Sequence, residues 1–130
     1  MEDKELIALA GKARLGAYAP YSEYPVGAAL LTSSGKVYTG CNVENALYGL
    51  AMCAERTAAF QAVCDGEREF RAIAVVTRNG GTPCGPCRQV LSEFGPHMRV
   101  IVADTSGNHR AYTLDGLLPD SFGPKDLVTE

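Results

Sequence analysis

Apolar residues recur along this chain with two different periods. In residues 5–19, Leu6, Leu9, Ala10, Ala13 and Ala17 fall at helical spacing, which predicts a first helix. Pro20 and Pro25 then break the pattern. Residues 26–43 hold two apolar runs around Ser33-Ser34-Gly35, the signature of a β-hairpin. Residues 44–52 read as a loop. The helical period returns over 53–66 through Arg56, Ala59, Phe60 and Val63, and Gly66 supplies a stop. Residues 70–77, FRAIAVVT, form an almost unbroken apolar run, suited to a strand covered on both faces.

A loop over 78–86 leads into a short helix over 87–95, and 99–103 (RVIVA) reads as another buried strand. Residues 104–114 suggest a turn into a short final strand, and 115–128 a Pro-punctuated tail with little regular structure. The order is helix, two strands, helix, strand, helix, strand, which favours an α/β layered domain with a mixed sheet. No repeat, low-complexity segment or linker interrupts it, so residues 1–130 are expected to form one domain.

Composition narrows the function classes. Apolar residues make up 46% of the 130, enough for a real core. The net charge is −3 and no run of Lys or Arg exceeds one residue. Long polynucleotides are therefore disfavoured as partners, though an unphosphorylated nucleoside is not. No apolar stretch approaches the roughly 20 residues of a membrane span. The first fourteen residues lack the continuous apolar core of a signal peptide. Five cysteines, an odd number, without a secretory signal suggest a reducing, cytoplasmic setting.

Those cysteines raise the candidate chemistry. Cys84-Gly85-Pro86-Cys87 has the spelling of a thioredoxin dithiol and also the spacing of a zinc knuckle. Upstream, Cys53-Ala54-Glu55 opens a helix. Thiols at two helix N-termini sit near the positive ends of two dipoles, which favours thiolates. Cys53, Cys84 and Cys87 together give three ligands and leave a fourth position open, the count of a catalytic zinc site. Arg56, three residues after Cys53, can reach back to offset thiolate charge. Glu55 in the first turn can face the same space and move protons. On the residues alone, a redox dithiol, a structural zinc corner and a non-enzymatic zinc module remain alternatives.

The C-x-E and P-C-x-x-C pair is the pattern of zinc nucleobase deaminases. Over 17–49, 53–63, 83–94 and 117–127 the chain resembles the small homotetrameric cytidine deaminases with three cysteine ligands. The resemblance implies a three-layer α-β-α fold with a mixed five-stranded sheet. It implies Zn2+ on Cys53, Cys84 and Cys87, with Glu55 as proton shuttle. It further implies hydrolytic deamination of cytidine and 2′-deoxycytidine in pyrimidine salvage. Asn42 and Glu44 correspond to residues that bind the ribose, and backbone near Ala54 and Cys84 to groups that hold the base. Tyr24 and Phe122 correspond to aromatics that flank the ring. Phe122 and the loop with Ala46 and Tyr48 would reach a neighbouring subunit's site.

Two positions depart from the family pattern. Position 24 is Tyr where Phe is usual, adding a hydroxyl that needs a partner. Pro86 stands where Ala is commoner, stiffening the knuckle. A blasticidin S deaminase shares the zinc and Glu motifs but lacks the Asn-x-Glu pair. Cys41 and Cys64 are expected to be small buried hydrophobes, and His97 and His109 to lie in surface loops. Tyr18, Tyr21 and Phe94 are expected to be core or interface aromatics.

Overall fold

The two apolar periods of the chain fold into a sheet sandwiched between helices. The computed structural model describes residues 1–127; Val128, the last residue of the expected tail, lies outside them. The sheet order is β2 (Val37–Cys41), β1 (Gly27–Thr32), β3 (Phe70–Val76), β4 (Arg99–Ala103), β5 (His109–Thr113). Only the β3–β4 pairing is parallel, so the sheet is mixed. That pairing needs a crossover, and α3 (Gly85–Phe94) provides it.

Alternation along the central strands sorts the side chains into two cores. Ala29, Leu31, Ala72, Ala74 and Ile101 pack against α1 (Asp3–Arg14) through Leu6 and Ala10. Ala28, Leu30, Ile73, Val75, Val100 and Val102 face α2 (Ala54–Cys64) and α3 through Ala58, Ala62 and Leu91. Both faces are covered, which is why β1 and β3 read as near-continuous apolar runs. The three-layer α-β-α expectation holds.

Small residues set how closely the layers approach. A Cβ on Gly27 would lie 2.0 Å from the Ala10 carbonyl oxygen, so α1 rests directly on β1. A Cβ on Gly40 would lie 2.6 Å from the Ala54 carbonyl oxygen and 2.7 Å from the Ala58 nitrogen. Gly40 therefore lets the first turn of α2 press onto β2.

Several local expectations need correction. The first helix ends at Arg14, not near Ala19: the chain turns out so that Tyr18 can bridge to Val43. The loop over 44–52 contains a single tight helical turn, Tyr48–Leu50. The third helix starts at Gly85, with Cys84 as its N-cap and Pro86 in its first turn, where a missing N–H leaves no bond unmade. His109 lies in β5 instead of a loop, though it is exposed. The tail holds a short helix α4 (Leu114–Leu117), anchored by fully buried Leu114, and a helical turn at Pro124–Leu127. Cys64 is exposed and Cys41 half-buried, so neither is a fully buried hydrophobe. Phe94 packs against the core and on Phe70, ring centroids 5.0 Å apart.

The glycines predict opposite outcomes for one added methyl. Gly40→Ala should destabilise by about 1–3 kcal/mol, the usual cost of overpacking, because the obstacle is backbone. Gly11→Ala, on the body of α1 with nothing within 4 Å of its Cβ, should stabilise by about 0.5–1 kcal/mol. Denaturant titration of both variants checks the pair; equal effects would contradict the close approach of α2 to β2.

Candidate active site

Strand register brings the site together. Gly27 pairs with Cys41 on one side and Val76 on the other. The residues just beyond these pairs, Val26, Asn42 and Thr77, therefore meet at one end of the sheet. The N-termini of α2 and α3 open at the same end, with Cys53 and Cys84 as their N-caps. Between them lies a cavity of about 260 Å³ lined by Tyr24, Asn42, Glu44, Cys53, Glu55 and Cys84, among others.

The sulfurs of Cys53, Cys84 and Cys87 all lie within 4.8 Å of one another. Cys53 Sγ is 3.7 Å from Cys84 Sγ, and Cys84 Sγ is 3.3 Å from Cys87 Sγ. Thiolates around a tetrahedral zinc, with bonds near 2.3 Å, stand about 3.8 Å apart. The donor set fits that ion in spacing and in chemistry. It is the one such cluster of His, Cys, Asp or Glu among the described residues.

Charge is unevenly divided across the cluster. The Cys53 thiol is pushed down to about 5, first by the hydrogen bond from the Cys87 thiol and then by Arg56, whose Nη2 donates to Cys53 Sγ at 3.2 Å. Cys87 is buried, and its pKa is pushed up, first by its hydrogen bond with Cys53 and then by burial. The Arg56 pKa is raised, first by its hydrogen bond to Cys53 Sγ. Its Nε is buried without a hydrogen-bond partner among the described residues, so the guanidinium is committed to the sulfurs at some cost.

Glu55 lines the cavity while only 4% exposed. Burial raises its pKa to about 7, with the Cys53 charge adding to the effect. Ala54 is fully buried beside it and also lines the cavity.

Asn42 and Glu44 lie just past the end of β2, not within it, and both reach the cavity. Each also holds the chain that forms the cavity lip. Asn42 Oδ1 accepts from Val26 N at 2.8 Å and its Nδ2 donates to Tyr24 O at 3.0 Å. Glu44 Oε1 accepts from Tyr21 N and Ser22 N at 3.0 and 3.1 Å, and its Oε2 accepts from the Ser22 hydroxyl. These bonds, the Ser22 hydroxyl foremost, hold the carboxyl below its ordinary range. In the same lip Glu23 adopts φ 55°, a left-handed conformation, while its carbonyl accepts from Arg78 at 3.0 Å.

The Tyr24 hydroxyl finds its partner in Asn79 Oδ1 at 2.5 Å, and the Arg78 guanidinium lies 4.8 Å from the ring centroid. Ala46, Tyr48 and Phe122 are not among the residues lining this cavity. Tyr48 and Phe122 are exposed, and Tyr48 pairs with Tyr21 at 5.6 Å between ring centroids. Sequence reasoning missed Ser22, Thr77, Gly81 and Thr82 in the wall. Their small polar types carry no signal, although Thr82 directly precedes the Pro-Cys motif.

Comparison with known proteins agrees with this arrangement. The family described as "Cytidine and deoxycytidylate deaminase zinc-binding region" matches residues 1–104. Cytidine deaminase of Sporosarcina psychrophila is 49% identical over 98% of this chain and 96% of its own length. That of Halalkalibacterium halodurans is 47% identical over 98% of each chain. The crystal structure of cytidine deaminase from Burkholderia pseudomallei superposes with a TM-score of 0.89 at 52% identity, covering 94% of this chain and all of that one.

The raised Glu55 pKa makes a pH prediction for protein stripped of metal. A carboxyl raised on folding gives its full stability below pH 4.5 and loses it as pH climbs through about 7. The parent's stability relative to Glu55→Gln should therefore fall across that window, by up to roughly 3 kcal/mol, and level off above it. Denaturant unfolding at stepped pH reads the difference; a flat profile would contradict burial of the carboxyl.

Proposed function

Because the chain belongs to the family of zinc-binding cytidine and deoxycytidylate deaminases, we propose that it hydrolyses cytidine and 2′-deoxycytidine to uridine and 2′-deoxyuridine, releasing ammonia. One observation carries the reading. A single cavity is lined by two of the three clustered cysteines, by a buried carboxyl and by the Asn42 and Glu44 pair.

Cys53, Cys84 and Cys87 would hold the zinc, which supplies Lewis-acid activation of the attacking water. Glu55 is the proton carrier. It accepts the proton that the water loses on attacking C4 of the pyrimidine and delivers a proton to N3. It then takes the remaining proton from the C4 hydroxyl and passes it to the exocyclic amine, so that the C4 carbonyl forms, the C4–N bond breaks and ammonia departs. A carboxyl with a pKa near 7 exchanges protons in both directions near neutral pH. Burial also keeps bulk water from short-circuiting the transfer. Asn42 and Glu44 bind the sugar and fix C4 against the attacking water. Backbone near Ala54 and Cys84 holds the base, and the Tyr24 ring closes one side of it. The Asn-x-Glu pair argues against a blasticidin S type of substrate.

The functional unit is a homotetramer in this reading. Tyr18, Tyr21, Leu47, Tyr48, Leu50 and Phe122 are all exposed, and Tyr21 packs on Tyr48, which offers apolar surface for a neighbouring subunit to cover. Phe122 and the loop bearing Ala46 and Tyr48 would complete a neighbour's cavity. No helix among the described residues is long and apolar enough to cross a membrane. A role in nucleoside salvage in the reducing cytoplasm follows from the substrate and the free thiols.

Glu55→Ala should keep about one zinc per chain and lose about 10²- to 10⁴-fold in turnover, the usual worth of a positioned acid–base group. Metal analysis with an ultraviolet assay on cytidine decides this; near-normal turnover would remove Glu55 from the chemistry. Mixing refolded Glu55→Ala and Phe122→Ala subunits should restore part of the activity that each lacks alone, because one chain supplies the carboxyl and another the aromatic. No recovery on mixing would place Phe122 outside the neighbour's site.

A further inference from the structure

The loop that delivers Cys84 is held almost wholly by side chains. Residues 78–83 make no backbone–backbone hydrogen bond among the described residues. Thr77 Oγ1 accepts from Gly80 N at 2.8 Å and Gly81 N at 3.1 Å. Arg110 Nη2 reaches from β5 to Gly80 O at 3.1 Å. The last and nearest clasp to the metal ligands is Arg88, immediately after Cys87.

Arg88 uses three nitrogens on three acceptors. Nε donates to Pro83 O at 2.7 Å, Nη2 to Thr82 Oγ1 at 2.9 Å and Nη1 to Leu117 O at 2.7 Å. The Pro83 side chain is fully buried and its carbonyl belongs to the peptide that precedes Cys84. The guanidinium thus ties the peptide before one ligand to the residue after another, and braces both against the C-terminal segment. Gln89 and Ser92 grip that same segment further on, Gln89 Nε2 at Phe122 O (2.8 Å) and Ser92 Oγ at Ser121 Oγ (3.2 Å), without touching the loop.

We propose that Arg88 is a positioning residue for the metal site: by clasping Thr82, Pro83 and Leu117 it holds Cys84 and Cys87 at ligand spacing. This rests on the three cysteines being the zinc ligands. A planar fork can satisfy three acceptors in fixed directions, whereas a lysine ammonium on a flexible stem cannot reproduce them. Outer partners that orient metal ligands are typically worth 10- to 100-fold in affinity.

The test is zinc affinity by competition with a chromogenic chelator, alongside thermal unfolding. Arg88→Ala should bind zinc about 10- to 100-fold more weakly. Arg88→Lys should fail to rescue it, and Thr82→Val should show a smaller loss of the same kind. Excess zinc should restore most of the Arg88→Ala turnover. Gln89→Ala, which loosens the C-terminal segment alone, should stay within about twofold of the parent in zinc affinity. Parent-like affinity in folded Arg88→Ala would overturn the proposal, as would an equal loss in Gln89→Ala. If Arg88→Ala does not fold, parent-like affinity in both Arg88→Lys and Thr82→Val overturns it instead. Absence of zinc from the parent is read independently of the variants and would refute the ligand assignment itself.

Discussion

Three sulfurs within 4.8 Å of one another cannot all carry charge unless a cation stands among them. Much of the molecule is arranged around that constraint. Two helices begin at the cluster and point their positive ends toward it, and Arg56 adds a full charge from one side. Even so, the thiols of Cys53 and Cys87 shift in opposite directions, Cys53 down and Cys87 up. A divalent ion held by the three sulfurs would complete that neutralisation. Glu55 feels the same field, since the Cys53 charge adds to the burial that raises it. Metal binding and the state of the proton carrier are therefore electrostatically linked.

The sheet and helices were legible because the two apolar periods report burial directly. The unbroken run of β3 announced a strand with helices on both sides, and both cores are present. The cysteine cluster was legible because its spacing carries chemistry: C-x-E on one helix start and P-C-x-x-C on another leave few other arrangements. The first helix was overrun because Ala17 continues the apolar period past the point where tertiary bridging of Tyr18 pulls the chain away. The tail's short helix was hidden by Pro and Gly punctuation, although a single fully buried leucine, Leu114, anchors it. The loop clasps had no sequence signal at all. Thr77 lies just past β3, Arg88 in α3 and Arg110 in β5, and only the folded topology brings them to one loop.

Several residues in the cavity wall do two jobs. Asn42 satisfies both Val26 N and Tyr24 O, and Glu44 caps two backbone N–H groups of the lip. The side chains available for a sugar are also the ones that shape the opening through which it enters. Tyr24 follows the same logic: its hydroxyl on Asn79 joins the lip to the loop before the knuckle. Contacts to ligand and contacts to scaffold share atoms, so removing one of these groups disturbs both.

The three ligand cysteines are unequally covered: Cys84 is exposed, Cys53 half-buried and Cys87 buried. Access to the cluster therefore has a direction. An electrophile or oxidant meets Cys84 first, and a competing chelator must approach from that same side. Damage to one exposed sulfur is enough to leave only two donors, too few to retain the ion firmly. The most reachable atom of the centre is thus its point of chemical vulnerability, and a resident ion would be that sulfur's main shield.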